Sequence, residues 1–193
     1  MTRSQFALFP AALFSVVAFV CFTAPGQAAI STQSDRRPAR TPDMYFAPTR
    51  QAVADAMMRL ARVGAGDVVY DLGSGDGRLV ILAAQKYGAR GVGIELDPRL
   101  VDISRQVARE GEVADRVVFI EGDLFTADIS GATVVMLYLS PSVNRELEPK
   151  LRVELRPGTR IVSHQFRIGD WVPDETVRAE DGTDLFLWIV PAR

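Results

Sequence analysis

The stretch Val68–Ile81 constrains the fold of this chain more than any other part of the sequence. It begins with a short run of β-branched and aromatic residues at 68–70, which favours a buried strand. Glycine then occupies every second position from Gly73 to Gly77, and helix-favouring residues follow at 78–87. A strand, a glycine turn and a helix in this order are typical of a ligand pocket at the carboxyl end of a parallel strand.

The spacing of the glycines distinguishes this pocket from a dinucleotide site. A dinucleotide fingerprint has the pattern G-x-G-x-x-G, and counting from Gly73 its third glycine would stand at Arg78. Instead an acid, Asp71, precedes the turn, and a second acid, Glu95, ends the next predicted strand 22 residues after Gly73. A carboxylate at about that offset reaches a ribose diol. S-Adenosylmethionine carries a ribose and two cationic groups but no phosphate, so we predict that it is the cofactor.

The rest of the chain alternates strands with helices, which predicts a parallel sheet. Helices are predicted at about 50–63, with Thr49 as N-cap, and then at 78–88, from Asp97-Pro98 onward and at 143–155. Strands are predicted at about 67–71, 91–95, 117–120, 133–139 and 160–166, followed by a hairpin of residues 175–179 and 185–190. The predicted fold class is α/β: a Rossmann-like doubly wound sheet, mostly parallel with an antiparallel C-terminal hairpin, and helices on both faces.

The N-terminal residues predict either a signal peptide or a membrane anchor over 1–29, followed by a linker at 30–42 and a methyltransferase-type domain at 43–193. Arg3, the apolar run 6–24 and the small residues up to Ala29 are typical of a secretory signal. However, 19 apolar residues can also span a bilayer, which needs about 17–25. The arginines at 36, 37 and 40 would then hold the domain in the cytoplasm, where S-adenosylmethionine is made. Both an exported location and an inner-membrane location stay open.

Composition excludes several kinds of site. Cys21 is the only cysteine and lies in the apolar run, so the domain itself has no thiol, and with one histidine no metal site is predicted. The first 28 residues carry a single charge, Arg3, so the net charge without them changes from −2 to −3. Nucleic-acid binding is not expected from a slightly acidic domain.

Ligands of such sheets bind beyond the carboxyl ends of the strands, which points to the residues there. Asp123 would accept a hydrogen bond from the adenine amino group, with Leu124 as apolar cover. Thr49, just after Tyr45 and Phe46, would lie in a segment over the pocket. His164 is interpreted as a core histidine rather than a general base. The predicted cofactor-binding residues are Thr49, Asp71, Gly73, Ser74, Gly75, Gly77, Glu95, Asp123 and Leu124.

Residues 43–190 resemble class I (seven-β-strand) S-adenosylmethionine-dependent methyltransferases in the run Tyr70–Gly77, in Glu95 and in Gly122-Asp123-Leu124. A narrower likeness is to the membrane-anchored mitochondrial lysine methyltransferases that modify the ATP synthase c-subunit, and, more distantly, to the non-SET histone lysine methyltransferases. This likeness is carried by Pro48-Thr49, by Asp71–Arg78, and by Val143-Asn144 through Leu147, Lys150-Leu151 and Pro157-Gly158 to Ser163. The resemblance implies that Asp71, Gly73, Gly75, Glu95 and Asp123 bind the cofactor and that residues 138–141 border the acceptor channel, with Tyr138 and Ser140 as the catalytic candidates.

The expected function is N-methylation of a protein lysine. An Asn/Asp-Pro-Pro-aromatic motif, which positions planar amide or base nitrogens, is replaced by Leu139-Ser140-Pro141-Ser142, which argues against such acceptors. Two alternatives stay open: a small-molecule O- or N-methyltransferase of the same fold, and a non-catalytic module that retains the cofactor pocket. The expected partners are therefore a protein substrate or a small-molecule acceptor, with membrane association through the N-terminal segment.

Overall fold

The computed structural model describes residues 48–192. The predicted leader at 1–29, the linker at 30–42 and the segment 43–47, with Cys21, Tyr45 and Phe46, lie outside the described residues. Within 48–192, no helix has both the length and the apolar character needed to cross a bilayer.

The described residues form four helices and seven strands. The helices are α1 (Gln51–Leu60), α2 (Arg78–Tyr87), α3 (Pro98–Glu110) and α4 (Pro141–Glu154). The strands are β1 (Val68–Leu72), β2 (Arg90–Glu95), β3 (Val117–Glu121), β4 (Val134–Leu137), β5 (Arg160–His164), β6 (Glu175–Arg178) and β7 (Asp184–Ile189).

The seven strands form one sheet in the order β3-β2-β1-β4-β5-β7-β6. The first five strands along the chain are parallel, and β7 runs antiparallel to both β5 and β6. The strand order reverses between β1 and β4, which is where open α/β sheets bind their ligands. The predicted fold class is confirmed, with one refinement: the returning strand of the hairpin lies inside the sheet, and β6 forms the edge.

The helices cover both faces of the sheet. Helices α1 and α2 pack on one face through Val53, Met57 and their neighbours, against the alternate strand residues Val69, Met136 and Val162. Helices α2 and α3 enclose a second cluster around Phe119. Helix α4 packs on the opposite face, where Leu147, Leu151 and Leu155 contact Ile161 and Trp188. Strands buried on both faces explain the nearly continuous apolar runs in the sequence.

Several predicted boundaries differ from those of the structure. Arg50, not Thr49, is the N-cap of α1, and no side chain caps that helix. Strand β4 ends at Leu137, so Tyr138 and Leu139 lie in the exit loop. Strand β5 ends at His164 because Gln165 has a φ of 70°, a left-handed conformation that cannot continue a strand.

Candidate active site

The glycine turn after β1 supplies backbone rather than side chains to the site. The amides of Gly73 and Ser74 both donate to the carbonyl of Ile94, at 2.8 and 3.0 Å, which fixes the turn against the end of β2. Gly77 has a φ of 79°, and a Cβ there would lie 2.6 Å from the Phe119 ring. Only glycine fits at such a position. The turn therefore presents a bare, rigid backbone at the switch point of the sheet.

Glu95 connects the end of β2 to this turn. Its Oε2 accepts from the Gly75 amide at 2.9 Å, and its Oε1 accepts from the amides of Leu96 and Asp97 at 2.8 and 2.9 Å. A carboxylate has about four acceptor positions. Three are thus occupied by backbone amides, and about one is left for an outside donor such as a ribose hydroxyl. The predicted ribose contact fits this geometry and stays a prediction.

Asp71 is the most strongly perturbed acid of the site. Its side chain is only 4% exposed, and burial, followed by the nearby charges of Glu95 and Asp76, raises its pKa to about 8. A buried carboxyl group beside two other acids stabilises a bound cation, since the cation would offset both the burial and the repulsion. Asp71 is therefore suited to a cationic ligand and unsuited to a phosphate.

Arg78 has a role that the sequence analysis did not find. Its guanidinium pairs with Asp76 at 2.6 Å and donates to the backbone carbonyl of Thr49 at 2.9 Å. Thr49 itself is buried. Arg78 thus ties the residues entering α1 to the glycine turn. In the sequence analysis Arg78 served only to exclude a dinucleotide fingerprint, whose third glycine it replaces. The opposite charges of Asp76 and Arg78 on either side of Gly77 could have indicated the ion pair.

Asp123 and Leu124 follow the third strand and lie near the same edge. Both side chains are half-buried. Asp123 Oδ1 accepts from the amide of Phe125 at 2.9 Å, and the preceding Gly122 amide donates to the Glu95 carbonyl at 2.9 Å. The structure therefore brings Asp123 next to Glu95, as predicted from the strand ends. Asp123 also caps its own turn, and its contact with adenine stays a prediction.

Tyr138 lies at the fourth strand end, next to the glycine turn and to His164. Leu72 is in register with Leu137, and Leu137 with Ser163, so Gly73, Tyr138 and His164 follow one another across adjacent strands. The Tyr138 and His164 rings stack with centroids 3.9 Å apart. Ser140 is the N-cap of α4, where its Oγ accepts from the Val143 amide at 3.3 Å. Ser140 is thus held by the helix, and its predicted role at the acceptor stays untested.

A family profile for the ANTKMT methyltransferase domain matches residues 71–175. The chain belongs to this family. A protein-lysine N-methyltransferase of Saccharolobus islandicus is 40% identical over 154 residues, covering 77% of this chain and 95% of that protein. The mouse lysine N-methyltransferase of the ATP synthase c-subunit is 37% identical over 131 residues, covering 68% of this chain. The chain spans about half the length of that mouse relative, 52%.

Solved structures extend the similarity to the bound cofactor. A structure from Salinibacter ruber, described as an RNA methyltransferase in complex with S-adenosyl-L-homocysteine, is 56% identical with a TM-score of 0.74. The alignment covers 95% of the Salinibacter ruber chain and 76% of this chain. A methyltransferase from Geobacter sulfurreducens with the same ligand is 29% identical with a TM-score of 0.54, covering 60% of this chain and 48% of that one. This chain is therefore an S-adenosylmethionine-dependent methyltransferase.

The residues of this methyltransferase fit its cofactor. The buried acid Asp71 suits a cationic methionine group, and Glu95 has an acceptor position left for the ribose. Ser74 Oγ is buried and has no hydrogen-bond partner within residues 48–192. This hydroxyl packs over Gly93, where an added Cβ would lie 2.6 Å from it, so it leaves no room for a side chain at that position of β2. Within the same residues, no three His, Cys, Asp or Glu side chains are grouped as metal ligands.

Proposed function

We propose that this methyltransferase transfers a methyl group to the side-chain nitrogen of a lysine in a protein. The observation that carries the proposal is the 40% identity to a protein-lysine N-methyltransferase, over 95% of the length of that protein. The mouse relative, which by its name acts on the ATP synthase c-subunit, supports the same acceptor chemistry.

Methyl transfer to a lysine side chain needs a deprotonated amine in line with the methyl group. S-Adenosylmethionine, when bound, supplies a methyl group on a positively charged sulfur. A neutral amine nitrogen forms a bond to the methyl carbon while the carbon–sulfur bond breaks, its electron pair stays on sulfur and the positive charge moves to nitrogen. The protein mainly has to align the two atoms. The acceptor must first lose a proton, and burial lowers the pKa of an ammonium group by up to about 3–5 units.

A second candidate acceptor is RNA, because the Salinibacter ruber structure is described as an RNA methyltransferase at 56% identity. Two features of this chain favour lysine over RNA. The net charge is −2, whereas nucleic-acid binding needs a basic face. The loop after β4 is Leu139-Ser140-Pro141-Ser142 and lacks the Asn/Asp-Pro-Pro-aromatic motif of base and amide methylation.

The full chain, incubated with methyl-labelled S-adenosylmethionine and a lysate of its own host, tests the proposal. The products are separated into protein, RNA and small-molecule fractions, and labelled peptides are sequenced by mass spectrometry. We expect label on lysine, absent with the variant Asp71→Asn. Label in RNA alone would support the second candidate, and label in small molecules alone would support a small-molecule methyltransferase. The number of methyl groups per lysine is obtained from the same spectra.

For the location, we propose that residues 1–29 anchor the protein in the inner membrane with the domain in the cytoplasm. The supply of the cofactor and the arginines at 36, 37 and 40 support this arrangement. The mass of the N-terminal peptide from purified host membranes tests it. An uncleaved Met1 peptide in the membrane fraction is expected, and a mature chain that begins near residue 29 in the periplasm would establish export instead.

A further inference from the structure

A cavity of about 240 Å³ opens at the carboxyl ends of β4 and β5, on the same face of the sheet as α1. Tyr138 and His164 form its floor, and Val53 of α1 forms one wall. Arg50, before α1, and Asp181 and Thr183, from the turn between β6 and β7, complete the rim. The cavity is thus assembled from four separate parts of the chain.

His164 is buried, as expected of a core histidine, but one of its ring nitrogens has no hydrogen-bond partner within residues 48–192. The residue is only 6% exposed, and that nitrogen is its buried Nδ1. Most buried polar side-chain atoms in proteins have a partner. An imidazole that lines a cavity and lacks one is suited to a hydrogen bond from a ligand.

The end of β5 holds this imidazole in a fixed place. The chain turns sharply at Gln165, and the next carbonyl, that of Phe166, accepts from Ser163 Oγ at 2.7 Å. Asn144 of α4 donates to the same carbonyl at 3.3 Å. A non-glycine residue in the left-handed region costs about 1–3 kcal/mol and persists only where the surroundings enforce it. His164 is therefore presented from a rigid strand end, with its ring stacked on Tyr138.

The cavity is lined by an imidazole and by two charged side chains of opposite sign, Asp181 and Arg50. Burial lowers the pKa of His164, so the imidazole is neutral at pH 7 and can accept a hydrogen bond. Asp181 is exposed at the rim, and the Thr183 amide, donating to its Oδ1 at 3.0 Å, holds it in place. Arg50 on the same rim and the phenol of Tyr138 are the other ionisable groups that line the cavity.

We propose that this cavity is the acceptor subsite, in which His164 accepts a hydrogen bond from the lysine amine and Asp181 draws in its ammonium form. The inference rests on the proposed function. The carboxyl ends of β1, β4 and β5 are neighbours in the sheet and adjacent strands are about 4.8 Å apart, so the backbone at the end of β5 is about 10 Å from the glycine turn. This separation leaves room for the methyl donor between the turn and the acceptor nitrogen.

The first test compares the full-length wild type with His164→Phe and His164→Gln. Phenylalanine keeps the ring stacked on Tyr138 but has no acceptor nitrogen, whereas glutamine keeps an acceptor oxygen. With graded host lysate as the acceptor, we expect His164→Phe to lower the initial rate of lysine methylation about tenfold or more, the cost of a lost buried hydrogen bond. The affinity for S-adenosylmethionine, measured by calorimetry, should stay within about twofold. His164→Gln should recover part of the rate.

The pH dependence of the methylation rate distinguishes a role of His164 at the acceptor from a purely structural role. Protonated His164 cannot accept a hydrogen bond and repels an ammonium group, so the wild-type rate at low lysate concentration should rise with pH through the pKa of His164. That limb is expected below the ordinary value of 6.5, because burial lowers this pKa. His164→Phe should lack the limb.

The second test uses Asp181→Asn, which keeps the oxygen that accepts from Thr183 and removes only the charge. We expect the half-saturating lysate concentration to rise about threefold to tenfold, with the rate at saturation unchanged, because Asp181 acts on the approach of the acceptor. Asp115→Asn, which removes another exposed charge before β3, is the control and should change neither value.

Different failures have different meanings. If wild type methylates protein lysine and His164→Phe does so at the same rate, the acceptor subsite is wrong while the proposed function stands. If His164→Phe loses S-adenosylmethionine binding but keeps its thermal stability, the cavity belongs to the cofactor. If His164→Phe does not fold, Asp181→Asn alone decides, and an unchanged half-saturating concentration overturns the proposal. If wild type labels no protein lysine, the proposed function itself fails.

Discussion

The surface of the site is formed mainly by backbone atoms at the cofactor end and by side chains at the proposed acceptor end. At the cofactor end, backbone amides of the glycine turn bind Glu95 and Ile94, and the glycines leave the backbone bare. At the acceptor end, the surface consists of the side chains of Tyr138, His164 and Asp181, which come from two loops and a strand end. A backbone site accepts few substitutions, because a side chain in place of a glycine clashes. A side-chain site can change its chemistry one residue at a time while the fold stays the same.

The largest expected effect comes from Asp71→Asn, because Asp71 is the buried acid that we predict to pair with the cationic methionine group of the cofactor. We expect the affinity for S-adenosylmethionine to fall by about 100-fold or more at pH 8, because removing one partner of a buried ion pair costs about 3–5 kcal/mol. Calorimetric titration measures the affinity. Asp102→Asn, at an exposed position of α3, is the control. Equal affinities for wild type and Asp71→Asn would place the cationic group elsewhere.

The pH dependence of binding gives the next largest effect. The pKa of Asp71 in the free protein is about 8, so the carboxyl is protonated at neutral pH and must ionise to pair with a cation. The ratio of wild-type to Asp71→Asn affinity should therefore rise up to about tenfold per pH unit until about pH 8 and then level off. Because the same ligand binds to both proteins, its own titration affects both affinities equally and does not change their ratio. A ratio that does not change from pH 6 to pH 9 would contradict the raised pKa.

The same shift has the opposite effect on the free protein. A carboxyl whose pKa is raised from 3.8 in the unfolded chain to about 8 in the fold lowers the free energy of unfolding as pH rises between those values. Asp71→Asn should remove this decline, so the variant gains stability over wild type at pH 8 without cofactor. Denaturant unfolding at pH 5 and pH 8 checks the expectation, and a larger loss of stability for the variant at pH 8 would rule it out.

Gly77→Ala tests whether the cofactor end depends on its backbone. We expect the substitution to reduce the free energy of unfolding by about 1–3 kcal/mol, because φ at this position is 79° and the added Cβ would lie 2.6 Å from the Phe119 ring. Gly66→Ala is the control, because no atom lies within 4 Å of its added Cβ. Thermal unfolding compares the two variants. Equal effects would mean that the turn relaxes and is less rigid than its hydrogen bonds indicate.

Ser140→Ala should have the smallest effect. It tests whether the Ser140 hydroxyl only caps α4 or also contacts the acceptor. Removing this N-cap of α4 should cost about 1 kcal/mol of stability while the affinity for S-adenosylmethionine is unchanged. Ser142→Ala, whose hydroxyl lies 2.9 Å from that of Ser140, is the neighbouring control. A fall in methylation rate beyond that expected from the fraction unfolded would show that the Ser140 hydroxyl also contacts the acceptor.

Much of the cofactor end could be predicted from the sequence, because its requirements are local. A glycine turn between a strand and a helix needs residues that are adjacent in the chain, and Glu95 follows at a spacing set by one helix and one strand. The strand alternation likewise predicted the parallel sheet and the closing hairpin. The boundaries at Thr49 and Tyr138 were less accurate, because helix caps and strand ends depend on contacts outside the segment.

The acceptor end could not be predicted in the same way, because its parts are distant in sequence. Asp181 reaches His164 only because β7 pairs with β5 in a particular antiparallel register. Whether an isolated histidine in a strand is satisfied depends on what lies opposite it, and no spacing in the sequence encodes that. Arg78 shows the same limit, since its contact with the Thr49 carbonyl joins residues 29 positions apart.

The position of β7 between β5 and β6 has a consequence for a chain that lacks this strand. The five parallel strands come first in the chain, but β5 has its second neighbour only when residues 184–189 are present. The rim of the cavity depends on the same residues, because the turn that carries Asp181 is closed by β7. A chain without residues 184–189 would therefore keep every residue of the glycine turn but lose the second neighbour of β5 and the strand that closes the turn carrying Asp181.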